Sequence, residues 1–250
     1  MGIGRAIRRN KDAPIKRSDL PPLIRGFTFN PAVFQFLDHG PRYKYIKNAF
    51  YEDFIERGSL KIGTVLEYRK FWEYNKAIGD HQEGKYISRK QHLSGEYTAE
   101  DLKSLGITGF GPAPGVKMGL YNVDVIHESI LPEAYVYCVT KVASREAMEK
   151  FEADRCVKIN DFVGFTQALV NGLVKHQLNR YTVYEIEYQE LKYSNIDDPF
   201  IAYRMKPKQY EYQQETRIHL DFFTQDVWHQ QPPKIVTIPE ITKYLEPFDL

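Results

Sequence analysis

Cysteine is nearly missing from this chain: Cys138 and Cys156 are the only two, they lie in separate segments, and neither belongs to a metal-ligand spacing. A disulfide scaffold is excluded on that count, a reducing compartment fits, and a cytoplasmic location is the expectation. The 7 histidines are scattered, with no H-E-x-x-H and no Cys/His cluster, so no metal is expected. No apolar run approaches the roughly 18 residues that cross a bilayer as a helix, so no membrane partner is expected. The N-terminus is basic but has no apolar h-region, so no secretory leader is expected. Charge of one sign is lacking too. The formal net charge is +1, which rules out wholesale attraction to nucleic acid by charge alone.

Several chemical signatures are also missing. No G-x-x-x-x-G-K-[ST] is present, which removes a Walker-type phosphate loop. The glycines of 106–119 (GITGFGPAPGVKMG) do not follow a strand and open a helix, as a dinucleotide fingerprint requires. No G-x-S-x-G occurs, and neither cysteine sits in a nucleophile motif.

What is present is aromatic and evenly charged. The 18 Tyr, 15 Phe and 2 Trp suit sheet packing; a cleft where tyrosines stack on bases or rings is the functional alternative. At 250 residues, 42% hydrophobic and 27% charged, the chain suits a soluble globular domain with a substantial core.

Residues 1–25 carry Arg5, Arg8, Arg9, Lys11, Lys16, Arg17 and Arg25 against only Asp12 and Asp19, broken by Pro14, Pro21 and Pro22. This segment is expected to be a flexible basic arm, either solvated or holding an acidic partner. Residues 26–250 are expected to form a single α+β domain with a mixed or antiparallel sheet, because strands and helices alternate without βαβ regularity. Strands are expected at 42–46, 59–69, 120–126, 134–140, 180–188, 201–207 and 234–238, and helices at 48–58 with Asn48 as cap, 144–155, 161–176 and 240–245. Lys206 and Lys208 are expected in a solvated loop, with contact to the phosphates of an acceptor as the alternative.

Residues 210–220 (YEYQQETRIHL) read as a strand whose odd positions, Glu211, Gln213, Glu215, Arg217 and His219, would share one face. An exposed edge with a structural Glu215–Arg217 pair would explain such a face; so would a catalytic strand. Other polar constellations are Tyr43, Lys44 and Tyr45; Tyr68, Arg69, Asp80 and Glu83; and Thr140.

In order, YKY, GSLKIG, YR, DHQEG, YCVT and QYEYQQETRI resemble a widespread bacterial domain family. Its members show a KY strand, a D-x-x-E element (here Asp80 and Glu83), a C-x-S/T strand and an aromatic-x-x-E-x-E-x-R ending. Here Tyr210 stands at the aromatic and Gln213 replaces the first Glu. The arrangement is also similar to the ADP-ribosyltransferase fold of bacterial toxins and phage-defence effectors, which implies a split sheet. It further implies NAD+ as substrate, no metal, and RNA, DNA or protein as acceptor, with nucleic acid slightly favoured. An antitoxin is an implied candidate partner.

Carried over residue by residue, the resemblance places the first polar residue among Arg42, Tyr43 and Lys44. The hydroxyl is Thr140, the late glutamate Glu215, and Gln213 completes a Q-x-E. Tyr68 and Arg217 join the cofactor-binding set. Cleaving the nicotinamide–ribose bond builds an oxocarbenium-like cation, which a fixed carboxylate stabilises more in the transition state than in the ground state. Gln213 would orient the acceptor, Arg217 would bind pyrophosphate or hold Glu215, and Tyr43 and Thr140 would support the nicotinamide pocket. Two alternatives stay open: a non-catalytic nucleic-acid-binding module, and a metal-dependent nuclease using Asp80, Glu83 and Glu215.

Overall fold

The computed structural model describes residues 37, 39–76, 79, 85–108, 111–130, 133–190, 203–222 and 231–250. The basic arm of 1–25 lies outside the described residues, as do Asp80 and Glu83. Along the chain run β1 (Arg42–Ile46), α1 (Asn48–Arg57), β2 (Ser59–Thr64), α2 (Val65–Phe71), β3 (Lys85–Tyr97), α3 (Ala99–Ser104) and β4 (Met118–Ile130). Then come β5 (Tyr135–Thr140), α4 (Arg145–Lys150), β6 (Arg155–Ile159), α5 (Phe162–Val174), β7 (Leu178–Glu185), β8 (Glu187–Gln189) and β9 (Met205–Pro207). A 3-10 turn at Lys208–Gln213 precedes β10 (Glu215–Phe222) and β11 (Lys234–Thr237); a second at Pro239–Tyr244 precedes β12 (Leu245–Phe248). The fold is α+β with mostly antiparallel pairing. Among the described residues, no helix is long and apolar enough to cross a membrane.

The chain divides into two compact units. One takes the described residues of Met1–Thr64, Glu133–Tyr184 and Thr216–Leu250; the other takes those of Val65–Pro132 and Glu185–Glu215.

The first unit is built on a sheet ordered β11-β2-β5-β1-β6-β12, with β10 also beside β5 and β7 beside β10. Strand β5 is its hub. It meets β2 at Tyr135 and Val136, β1 at Thr140, and β10 besides. A strand has two edges, so at least two of these three partners share one edge of β5. Helix α5 covers one sheet face. The Asp161 carboxylate caps it by accepting from the Gly164 N–H at 2.9 Å. Phe162, Phe165, Leu169 and Leu173 recur at helical spacing and join Tyr137, Val139, Val157 and Ile159 in one core. Gln167 and Asn171 are left exposed.

Helix α1 matches its expected span, with a different cap. Lys47 occupies the cap position without a side-chain bond. The Asp154 carboxylate accepts the Asn48 N–H instead (2.9 Å), and the Asn48 side chain accepts from Arg155 Nε (2.9 Å). Gly58 ends the helix at φ 66°, its N–H turned to the Phe54 and Asp53 carbonyls.

Two expected elements change type. The strand expected over 59–69 stops at Thr64, and α2 begins at Val65. Its Leu66, Glu67, Arg69 and Lys70 are good helix formers, with the acid in the first turn and the bases in the last, as the helix dipole favours. The helix expected over 144–155 stops at Lys150, and Arg155–Ile159 becomes β6. Strand β6 is claimed on both edges, by β1 (Lys44 opposite Val157) and by β12 (Pro247 opposite Val157), and pairing overrides helix propensity there.

The second unit holds a long antiparallel ribbon, β3 with β4, running from Lys85 opposite Ile130 to Tyr97 opposite Met118. Helix α3 opens with a full capping box between Thr98 and Asp101. Strands β8 and β9 form a short parallel pair with Tyr188 opposite Lys206. The Tyr210 hydroxyl ties the following turn to the Gly79 carbonyl at 3.1 Å. Gly79 accepts no side chain, since a Cβ there would lie 1.9 Å from the Trp72 nitrogen.

A Cβ at Gly58 would meet the Ile238 carbonyl oxygen at 2.2 Å, on top of the left-handed backbone. Gly58→Ala should therefore destabilise the protein by about 2–4 kcal/mol, read as a lowered urea midpoint by circular dichroism.

Candidate active site around Glu215

The stretch expected as one strand over 210–220 is two structures. Residues Lys208–Gln213 form the 3-10 turn, Gln214 sits in the left-handed region at φ 40°, and the pleat starts only at Glu215. Gln214 is held there by its own N–H (3.1 Å) and its side-chain amide (2.8 Å), both donating to the Glu211 carbonyl. Strand alternation therefore does not place Gln213 beside Glu215. A lysine does.

Lys206, in the middle of β9, donates from one ammonium to Glu215 Oε2 at 2.6 Å and to Gln213 Oε1 at 2.8 Å. All three are buried, with 4%, 4% and 3% of the residue exposed for Lys206, Glu215 and Gln213. The ammonium also lies 5.7 Å from the centre of the Tyr210 ring. Backbone bonds fix Glu215 itself: its N–H donates to the Tyr188 hydroxyl (2.8 Å) and its carbonyl accepts from the Ile186 N–H (2.9 Å). Lys206 is thus no solvated loop residue, whereas Lys208 is exposed and pairs with Glu211. Nothing in M-K-P marks Lys206 as buried; a lysine nine residues ahead of the key glutamate carries no periodic signal. Tyr68, expected at a strand end, lies half-buried on α2.

In the first unit, the expected cofactor residues divide between the two faces of the sheet. Tyr43 pairs with Thr140 across β1 and β5, so both side chains share a face. Arg42 and Lys44 alternate to the opposite face, over α5. There the Arg42 guanidinium is fully buried, 5.2 Å from the Phe162 ring centre, and donates to Thr216 Oγ1 (3.0 Å) and the Gly40 carbonyl (2.9 Å). Lys44 donates to the Cys138 carbonyl (2.8 Å) and lies 4.7 Å from the Tyr137 ring centre. Because Thr216 meets Arg42, its neighbour Arg217 faces the other way, with Tyr43 and Thr140. Phe222 packing edge-on to Tyr135 confirms the same alternation.

The Thr140 hydroxyl is in reach of the Val142 carbonyl (3.1 Å) and, more weakly, the Tyr43 carbonyl (3.4 Å). Tyr45 joins this bend. Its hydroxyl accepts the Ser144 N–H (2.7 Å) and reaches the Val142 carbonyl (3.3 Å), while burial pushes its pKa up.

Further along β10, His219 and Asp221 follow Arg217 on the same face. His219 Nε2 lies 3.1 Å from Asp221 Oδ1, Arg180 reaches the other oxygen at 2.8 Å, and the Tyr184 ring meets His219 edge-on. The motif alone left His219 without a role, because only the fold brings β7 beside it. Burial works against the Asp221 charge, but the His219 hydrogen bond, the His219 charge and Arg180 outweigh it, so Asp221 lies below the ordinary aspartate value of 3.8. Among the described residues, no group of three His, Cys, Asp or Glu side chains could hold a metal ion.

Compared with protein families, curated proteins and solved structures, the chain matches none.

A depressed carboxylate stabilises the fold above its unfolded value and loses that contribution as pH falls through the folded value. Asp221→Asn should therefore cost about 1 kcal/mol at neutral pH. The urea midpoints of wild type and variant should converge as pH drops below 3.8.

Proposed function

We propose that the protein is an ADP-ribosyltransferase acting as a toxin or defence effector, with Glu215 stabilising the ribose cation formed as NAD+ is cleaved. The single observation that carries this is the convergence of Gln213 and Glu215, both buried, on one ammonium. A merely structural Glu215–Arg217 pair on a solvated edge would not bury a carboxylate this way. In the reaction the C1′–N bond to nicotinamide breaks, nicotinamide leaves with the electron pair, and the acceptor's nucleophilic atom bonds C1′ and loses its proton. A nucleic acid is the preferred acceptor.

Tyr43, Thr140 and Arg217 share one face of the first unit's sheet, with Arg42 and Lys44 turned to the other. The three-partner hub at β5 supports the split sheet of the ADP-ribosyltransferase fold.

One observation also favours the nuclease reading: Lys206 supplies a lysine beside Glu215, as some metal-dependent nucleases require. Loss of nucleic-acid cleavage on adding EDTA would select it.

Incubation with labelled NAD+ and RNA, DNA or protein should transfer label to one acceptor class, independent of EDTA. Glu215→Gln should lower the rate by at least about 100-fold while keeping the circular dichroism spectrum. No transfer and no NAD+ consumption by wild type, or an unchanged rate in Glu215→Gln, would reject the transferase.

A further inference from the structure

We propose that Lys206 is the positioning residue of this site: its ammonium sets where the Glu215 carboxylate stands and binds Gln213 into the same unit. The inference rests on the transferase reading and adds a residue that the motif resemblance does not contain.

The geometry is that of a brace. Lys206 enters from β9, anchored by its pairing opposite Tyr188 on β8. The chain then leaves through the 3-10 turn, reverses at Gln214, and returns so that positions 213 and 215 both meet the same nitrogen. Tyr188 acts twice here. Its backbone aligns Lys206 through the strand pair, and its hydroxyl accepts the Glu215 N–H at 2.8 Å. Glu215 is therefore fixed at its backbone by β8 and at its carboxylate by β9.

A surface ion pair of this kind would be a weak constraint, because two long side chains in water rarely hold one geometry. A buried pair differs: removing either partner leaves the other's charge uncompensated in a medium that solvates it poorly. The ammonium can give three hydrogen bonds in tetrahedral directions, and two go to Gln213 and Glu215.

The consequence for Gln213 is specific. Its amide oxygen is bound to Lys206 and its side chain is buried, so it belongs to the support of Glu215. Substitutions at Lys206 should then act on the chemical step. They should leave binding of NAD+ nearly untouched, because an interaction that tightens only in the transition state appears in kcat.

The test uses the full chain with labelled NAD+ and the acceptor class found for wild type. Lys206→Ala should lose about 100-fold in kcat, with KM for NAD+ within about threefold of wild type. Added propylammonium should restore at least about tenfold of that loss, and tetramethylammonium, which has no N–H, should not. A folded Lys206→Ala that keeps wild-type kcat, or whose loss no primary ammonium restores, overturns the proposal. If Lys206→Ala does not fold, the pair Lys206→Arg and Lys206→Gln decides. Arg keeps the cation and should exceed Gln by at least about tenfold in kcat at equal KM; equal rates overturn the proposal. A wild type that consumes no NAD+ removes the transferase and this role together, whereas an active wild type with an indifferent Lys206 removes this role alone.

Discussion

A buried ammonium facing a buried carboxylate is the constraint around which residues 185–190 and 203–215 of the second unit are arranged. Lys206 and Glu215 meet at 2.6 Å with almost no solvent exposure. Taking both charges out of water is costly, and well-packed apolar residues of similar volume often stabilise a fold as well or better. Stability is therefore a poor reason for the pair to exist. The surrounding chain is built to satisfy it: a parallel strand pair aligns Lys206, a left-handed residue turns the chain, and Tyr188 receives the Glu215 N–H. Such provision for one carboxylate is what the proposed role of Glu215 calls for.

The first unit depends on β5 in a comparable way. Residues of β5 divide strictly by parity. Tyr135, Tyr137 and Val139 enter the core under α5, while Thr140 turns to the face shared with Tyr43, Arg217 and His219. On the core side Arg42 and Lys44 lie against aromatic rings, and Thr216 accepts from Arg42. The opposite side gathers the polar groups. That side carries most of the polar residues singled out in the first unit, and Thr140, Arg217 and His219 are buried there.

Elements with a strong local signal were legible in the sequence. RYKYI, YVYCVT and the 161–176 helix stand where periodicity puts them, and Gly58 stops α1 as expected. The failures share a cause, which is that long-range pairing and junctions leave no periodic trace. Residues 65–69 continue the alternation of β2 yet become α2, and Arg155, expected as a helix end, opens β6, which is held between β1 and β12. Glu215 was singled out by a motif resemblance, and its burial beside a lysine was not legible. Lys206 was not legible either, because its burial is decided by β8 and by a turn that reverses the chain, neither visible in three residues of sequence.

Under the proposed transferase reading, the same lysine bears on how the carboxylate would work. An ammonium next to Glu215 opposes any cation the carboxylate is meant to stabilise, so the two must differ in distance to it. With an effective dielectric of about 20, a cation ~3.5 Å from the carboxylate gains about 5 kcal/mol, and one ~6 Å from the ammonium loses about 3. The surplus, about 2 kcal/mol, depends wholly on orientation; equal distances would cancel it and exchanged distances would reverse it. A lone glutamate in this buried site would have neither a fixed place nor a partner for its charge. A Lys–Glu pair acts as a dipole, and a dipole stabilises charge only along its axis. If Glu215 performs charge stabilisation in the presence of Lys206, its direction must be fixed, which accounts for the hydroxyl, the strand pair and the second acceptor that surround it.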